Sequence, residues 1–279
     1  MKIRSLIVPI DFTDTAINTV DYAVKLAEII ESKIIFVSSH MANSAPNAGA
    51  TMSTMMHPAP ENVVSLEKLH KEKLDDFLKS TLPLSVNHKA ITRIGTQAEV
   101  VCTIAEEEKA ELILVGSEST TGMEAFFVGS ESEKITRKAP CSVLALPKDS
   151  KHFKMDTIGL ALDTDNDENN GNLSVLKEIV VSTKAKLRLV HILSDKEEIA
   201  FKTEDVLKQY KTELNSVEHS FHVFFENDTE EGISKFLDKN PIDLMAILYR
   251  EHGLFERLLQ PGLRKKLIFE NQIPLLVLR

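Results

Sequence analysis

Short unbroken apolar runs alternate with longer segments whose apolar residues recur every three or four positions, and the alternation continues along the chain. Leu6-Ile7-Val8 and Leu112-Ile113-Leu114-Val115 are continuous and too short for helices, which predicts strands buried on both faces. After Thr13, residues Ile17, Val20, Val24 and Ala27 fall on one face of a predicted helix. Glu131 to Lys138 reads as another helix, opened by Ser130. Strands alternating with amphipathic helices imply βα units, so the expected fold is α/β with a parallel sheet covered on both sides. Met41 to Pro60, rich in Ala, Ser, Met and Pro, has neither periodicity and predicts a surface loop.

The pattern occurs twice. Ser5 to Asp11 is echoed by Thr157 to Asp163, Lys33 to Val37 by Lys186 to Val190, Glu111 to Val115 by Asp243 to Ile247, and Val143 to Leu146 by Leu275 to Leu278. The expectation is two doubly wound, five-stranded parallel-sheet domains, residues 1–148 and 153–279, joined by the charged segment Lys148 to His152. A length of 279 residues suits two such domains.

Gly116 and the pair Gly129-Ser130 bracket a loop between a buried strand and a helix, where backbone N–H groups attract anions. The spacing resembles the nucleotide loop of the universal stress protein family, G-x2-G-x9-G-[ST], with Ser119 where the second glycine should be. Leu6 to Thr13 is similar to that family's opening segment, Gly95 to Glu99 to its turn into the third helix, and Ala139 to Leu146 to its closing strand. The resemblance covers residues 1 to about 148. It implies a Rossmann-like universal stress protein fold, an adenine nucleotide such as ATP as ligand, and pairing through the last strands. In a tandem chain that pair would form internally, as an intrachain pseudo-dimer, with a further homodimer left open. The physical reason is that Val143 to Leu146 and Leu275 to Leu278 would otherwise be apolar edges exposed to water.

Carried onto this chain, the resemblance places Asp11 against base or ribose with Pro9 fixing the turn beside it; the plainer reading is that Asp11 or Thr13 caps the following helix. Ser39 stands where a backbone group meets adenine, and is otherwise an ordinary loop serine. Val115 and Gly116 would line the ribose and diphosphate side, Gly116 permitting close backbone approach. Gly129 would turn the chain so that the N–H groups of Ser130 and Glu131 face the phosphate; the plainer reading is a serine cap preceded by glycine. Ser119 either crowds this cradle or adds a donor, and the sequence does not choose. Glu118 and Glu131 add negative charge with no Lys or Arg between Gly116 and Glu133, a deficit that Mg²⁺ would offset. The second copy has lost the loop. Tyr249 is expected to crowd the place of Gly116, Gly262-Leu263 is at best a remnant, and this half is expected to bind no nucleotide. Its Arg250, Arg257, Arg264, Lys265 and Lys266 read as a solvated helix face.

A formal charge of −9 and a pI near 5.5 argue against nucleic acid and anionic membrane surfaces as partners. Met1 to Ser5 lead directly into a strand without a signal core, no apolar run is long enough to span a bilayer, and Cys102 and Cys141 show neither CxxC spacing nor a disulfide framework, so a cytoplasmic location is expected. His40, Met41, Met52, Met55, Met56 and His57 could offer soft ligands to Cu(I), but their spacing matches no coordination pattern and no metal is expected. No nucleophile elbow or base-paired cysteine is present, so the expected role is regulatory and non-catalytic, with slow ATP turnover at most and a protein partner reading the nucleotide-ordered loop. The alternative is a nucleotide-free stress-response scaffold or protein-interaction module.

Overall fold

The computed structural model describes residues 2–41, 60–116, 131–148, 153–162, 172–193, 208, 210–226, 229–250 and 273–279. The first half runs β1 (Ser5–Pro9), α1 (Asp14–Ile30), β2 (Lys33–His40), α2 (Pro60–Thr81), β3 (His88–Ile94), α3 (Gln97–Glu107), β4 (Leu112–Gly116), α4 (Glu131–Lys138) and β5 (Ser142–Leu146). The second runs β6 (Thr157–Leu162), α5 (Ser174–Thr183), β7 (Lys186–Leu193), β8 (His219–Phe225), α6 (Thr229–Lys239), β9 (Leu244–Leu248) and β10 (Leu275–Leu278).

The ten strands form one sheet in the order β3-β2-β1-β4-β5-β10-β9-β6-β7-β8. Within each half every pairing is parallel; β5 and β10 alone run antiparallel, with Val143 opposite Val277, Leu144 opposite Leu276 and Ala145 opposite Leu275. The intrachain pseudo-dimer is thus built on the two closing strands, whose apolar edges cover one another. Alternate side chains of the seam feed opposite faces of the sheet. Leu144, Leu146, Leu276 and Leu278 join a core beneath α1, α2 and α5, whereas Val143, Ala145, Leu275 and Val277 join a core beneath α3, α4 and α6. Both cores therefore run from one half into the other, and burial of these strands at about 25 cal/mol per Å² of apolar surface stabilises the halves jointly.

The repeat seen in the sequence has a physical counterpart at the strand starts. Glu111 accepts hydrogen bonds from the backbone N–H groups of Arg4 and Ser5 at 3.1 and 3.2 Å, and Asp243 accepts from those of Asp156 and Thr157 at 3.0 and 2.9 Å. Each carboxylate ties the start of its half's first strand to the neighbouring one. Helices α1 and α5 also both end on a non-glycine residue in the left-handed conformation, Glu31 and Lys184. In α1 the predicted face holds for Val20, Val24 and Ala27, but Ile17 is 44% exposed. The buried arc is completed instead by Ala16, Thr19 and Ala23, leaving Ile17 at its edge.

Candidate nucleotide site

In the first half the chain leaves β1 toward β2 on one side and β4 lies on the other, so the strand order reverses between β1 and β4. A crevice at the C-terminal ends of such strands is the usual ligand position in an open α/β sheet. Pro9 ends β1 opposite Val37, and the Ile10 N–H donates to the Val37 carbonyl at 2.8 Å. The exposed Asp11 carboxylate accepts from the Thr13 N–H at 3.1 Å and from the Thr13 hydroxyl at 2.7 Å, while Thr13 Oγ1 accepts from the Ala16 N–H and caps α1. Thr13 is therefore the helix cap, and Asp11 orders the turn while the rest of its acceptor capacity faces outward.

Between them Phe12 adopts φ 65°, a conformation that costs a bulky residue roughly 1–2 kcal/mol. Helix α2 holds it there. Phe77 packs edge-on at 5.7 Å between centroids, and the Lys73 ammonium lies 4.1 Å above the Phe12 ring. Neither residue belongs to the sequence motif. Lys73 places a cation near the Asp11 turn from a segment distant in sequence, and the apolar spacing of Leu74, Phe77 and Leu78 was the signal that this face of α2 lies on the fold.

Val115 is buried with its side chain in the core, so only its backbone is available to a ligand. A Cβ on Gly116 would lie 2.4 Å from Thr19 Oγ1 and 2.8 Å from Thr15 Cγ2 of α1. The glycine is required by helix packing, whatever binds beyond it. Its carbonyl accepts from the Ser132 hydroxyl at 2.8 Å, tying α4 to the end of β4. Ser119, Gly129 and Ser130 lie outside the described residues, as do residues 42–59 of the expected surface loop and residues 149–152 of the expected linker.

Glu131 opens α4, but its carboxylate turns toward α3, accepting from the Ala98 N–H at 2.9 Å and from Lys134 at 2.6 Å. Burial pushes this carboxyl up, yet the hydrogen bonds from Lys134 and Ala98 and the nearby charges of Lys134 and Lys138 outweigh it and hold the group below its ordinary range. The charge expected to oppose phosphate is thus partly compensated by Lys134, which directly follows Glu133. Ser39, half-buried opposite Arg93, lines an open cleft of about 420 Å³ with His40, His70, Thr96, Gln97 and Glu131.

In the second half the strand register corrects one expectation. β9 pairs with β10 so that Leu248 faces Leu278, as Gly116 faces Leu146 in β4 and β5. Leu248, buried, occupies the place of Gly116; Tyr249 lies one residue further on, beneath the Arg279 guanidinium at 3.6 Å. The remnant Gly262-Leu263 and the basic residues Arg257, Arg264, Lys265 and Lys266 lie outside the described residues. Among the described residues, no helix is long and apolar enough to cross a membrane, and no group of three or more His, Cys, Asp or Glu could hold a metal ion.

A strand-order reversal flanked by an aspartate turn and a glycine strand end defines an open, doubly wound α/β protein, a class whose usual ligand position lies at that reversal. The universal stress protein family model matches residues 2–147, and the chain belongs to that family. It is 24% identical over 152 residues to universal stress protein MJ0531 of Methanocaldococcus jannaschii, covering 53% of this chain and 84% of that one. It is also 24% identical over 146 residues to universal stress protein YxiE of Bacillus subtilis, covering 50% of this chain and 97% of that one. In architecture it is similar over its whole length to a universal stress protein from Archaeoglobus fulgidus, with a TM-score of 0.68, 13% identity and coverage of 100% of this chain and 97% of that chain.

Proposed function

We propose that the chain is a cytoplasmic regulatory protein of two domains, residues 1–148 and 153–279, which binds one adenine nucleotide in the first domain. The observation that carries this reading is the strand-order reversal between β1 and β4, beside the Asp11 turn and the glycine end of β4, in the half that keeps Gly129-Ser130. Asp11 would accept from base or ribose, backbone at Ser39 and Val115 would flank them, and the N–H groups of Ser130 and Glu131 would take phosphate, with Mg²⁺ offsetting Glu118. The second domain would serve as a structural partner, because Leu248 fills the position of Gly116. The sequence carries neither a nucleophile elbow nor a cysteine–histidine signature, and the output would be an ordered loop read by a protein partner rather than a turnover number. Since both closing strands are consumed within the chain, any homodimer would use another surface.

One observation favours a second reading, a nucleotide-free scaffold: Thr15 and Thr19 alone account for Gly116. Calorimetric titration of ATP and AMP, with and without Mg²⁺, into nucleotide-free protein and its Gly129→Trp variant separates the two. One-to-one binding lost in the variant supports the site; absence of heat in the wild type leaves the scaffold.

A further inference from the structure

His40, at the end of β2, and His70, on α2, stack face to face with centroids 4.2 Å apart and planes 8° from parallel. His40 is 5% exposed, and neither of its ring nitrogens has a hydrogen-bond partner; Nδ1 of His70 is buried and unpartnered as well. Buried polar atoms are nearly always paired, so three such nitrogens in one contact call for an explanation. A neutral imidazole tolerates this setting far better than an imidazolium, which carries two N–H donors that must be satisfied.

The surroundings reinforce that preference. On α2, Lys73 opposes a charge on His70, and Glu67, exposed, is the carboxylate that favours one on His40. From α4, Glu131 lines the same cleft but is already engaged by Ala98 and Lys134. From the turn between β3 and α3, Gly95, Thr96 and Gln97 contribute no formal charge, while the N-terminal end of α3 is positive. On β3, Arg93 is paired with Glu107. Burial first, and then His70 beside His40 and Lys73 beside His70, hold both imidazoles below their ordinary value near 6.5, against the opposing pull of Glu67 on His40.

We propose that the His40–His70 stack is an acid-sensitive latch that fastens α2 to β2 when both rings are neutral and releases it when His70, the less buried ring, is protonated. What the latch holds is specific, because one and two turns further along α2 lie Lys73 and Phe77, the two residues that keep Phe12 in its left-handed conformation beside Asp11. Release of α2 withdraws their support, and the Asp11–Thr13 turn loses its fixed geometry. The sign follows from linkage: the unfastened state takes up protons more readily, so fastening is complete above about pH 6.5 and weakens as pH falls. The latch stands on the stack itself and does not require that nucleotide binds; if it does bind, its affinity inherits the same pH dependence.

Amide hydrogen exchange on the full chain at about pH 7.5 and about pH 5, corrected for intrinsic exchange rates, tests this in wild type and in His70→Phe, which keeps a stacking ring but cannot be protonated. The expected result is a loss of protection of about tenfold or more at the lower pH over residues 67–78 and 10–16, reduced to about threefold or less in His70→Phe. Ring-proton NMR titration of the wild type should place the midpoints of His40 and His70 below 6.5. Protection that does not change with pH, an equal loss in His70→Phe, or midpoints at or above 6.5 would overturn the latch.

Discussion

Replacing Gly116 by alanine separates packing from ligand binding as the reason for this glycine. Its backbone is not in the left-handed region, so the cost is steric alone. The new Cβ would meet Thr19 Oγ1 at 2.4 Å and Thr15 Cγ2 at 2.8 Å, both inside any normal contact. Thr19 could retreat only by rotating its side chain, breaking its 2.9 Å hydrogen bond to the Thr15 carbonyl at a cost of about 1 kcal/mol. The Thr15 methyl would still overlap, so α1 must also shift, and overpacking of this kind brings the total to about 2 kcal/mol. Equilibrium urea unfolding of nucleotide-free protein should show that loss as a lower midpoint with unchanged slope. In a Thr15→Ser, Thr19→Ala background, which removes both opposing atoms, the same substitution should cost less than about 0.5 kcal/mol. A Gly116→Ala protein as stable as wild type, or an equal loss in both backgrounds, would refute the packing argument and return the glycine to the ligand.

Three further outcomes follow from the contacts. Because Glu131 is held below its ordinary pKa, it stabilises the fold above about pH 4.5 and that contribution is lost as pH falls through its lower folded value; Glu131→Gln should flatten the acid limb of urea midpoints between about pH 5 and 3 and cost about 1 kcal/mol at neutral pH. The Arg279 guanidinium donates to the carbonyls of Thr136 and Arg137 at 2.9 and 2.7 Å, capping α4 of the first half from the second, and covers Tyr249, so Arg279→Ala should cost about 2–3 kcal/mol in urea unfolding, and a neutral result would show that this cap contributes nothing. Burial, with Cys102 and Glu111 adding to it, pushes the Cys141 thiol up to about 12, so iodoacetamide at about pH 8 should leave it unmodified in the folded protein and label it in urea.

Eight of the ten strands were legible as apolar runs occurring in two copies, whereas β3 and β8 are only partly buried and carry no such run; the seam was implied by the family resemblance, with the mutual cover of two apolar edges as its physical reason. What escaped was tertiary. Gly116 looks like a phosphate glycine in a local motif, yet its tightest neighbours come from α1, a hundred residues away in sequence. Asp11 and Thr13 divide the work of the turn between them in a way that residue types alone left open. Lys73, Phe77 and His70 are invisible to any motif because only the folding of α2 over β2 and β3 brings them to the site. The place of Gly116 in the second half falls on Leu248 rather than Tyr249, as the hydrogen-bonded register shows and as the repeat of Glu111–Val115 in Asp243–Ile247 already implied.

The most direct test of a single nucleotide site in the first half is hydrogen exchange of the intact chain with and without saturating ATP and Mg²⁺. A single site in the first half should add protection in residues 9–16 and 116–132 and leave the corresponding segments around residues 162 and 248 unchanged. Equal protection in both halves, or none in either, would contradict it.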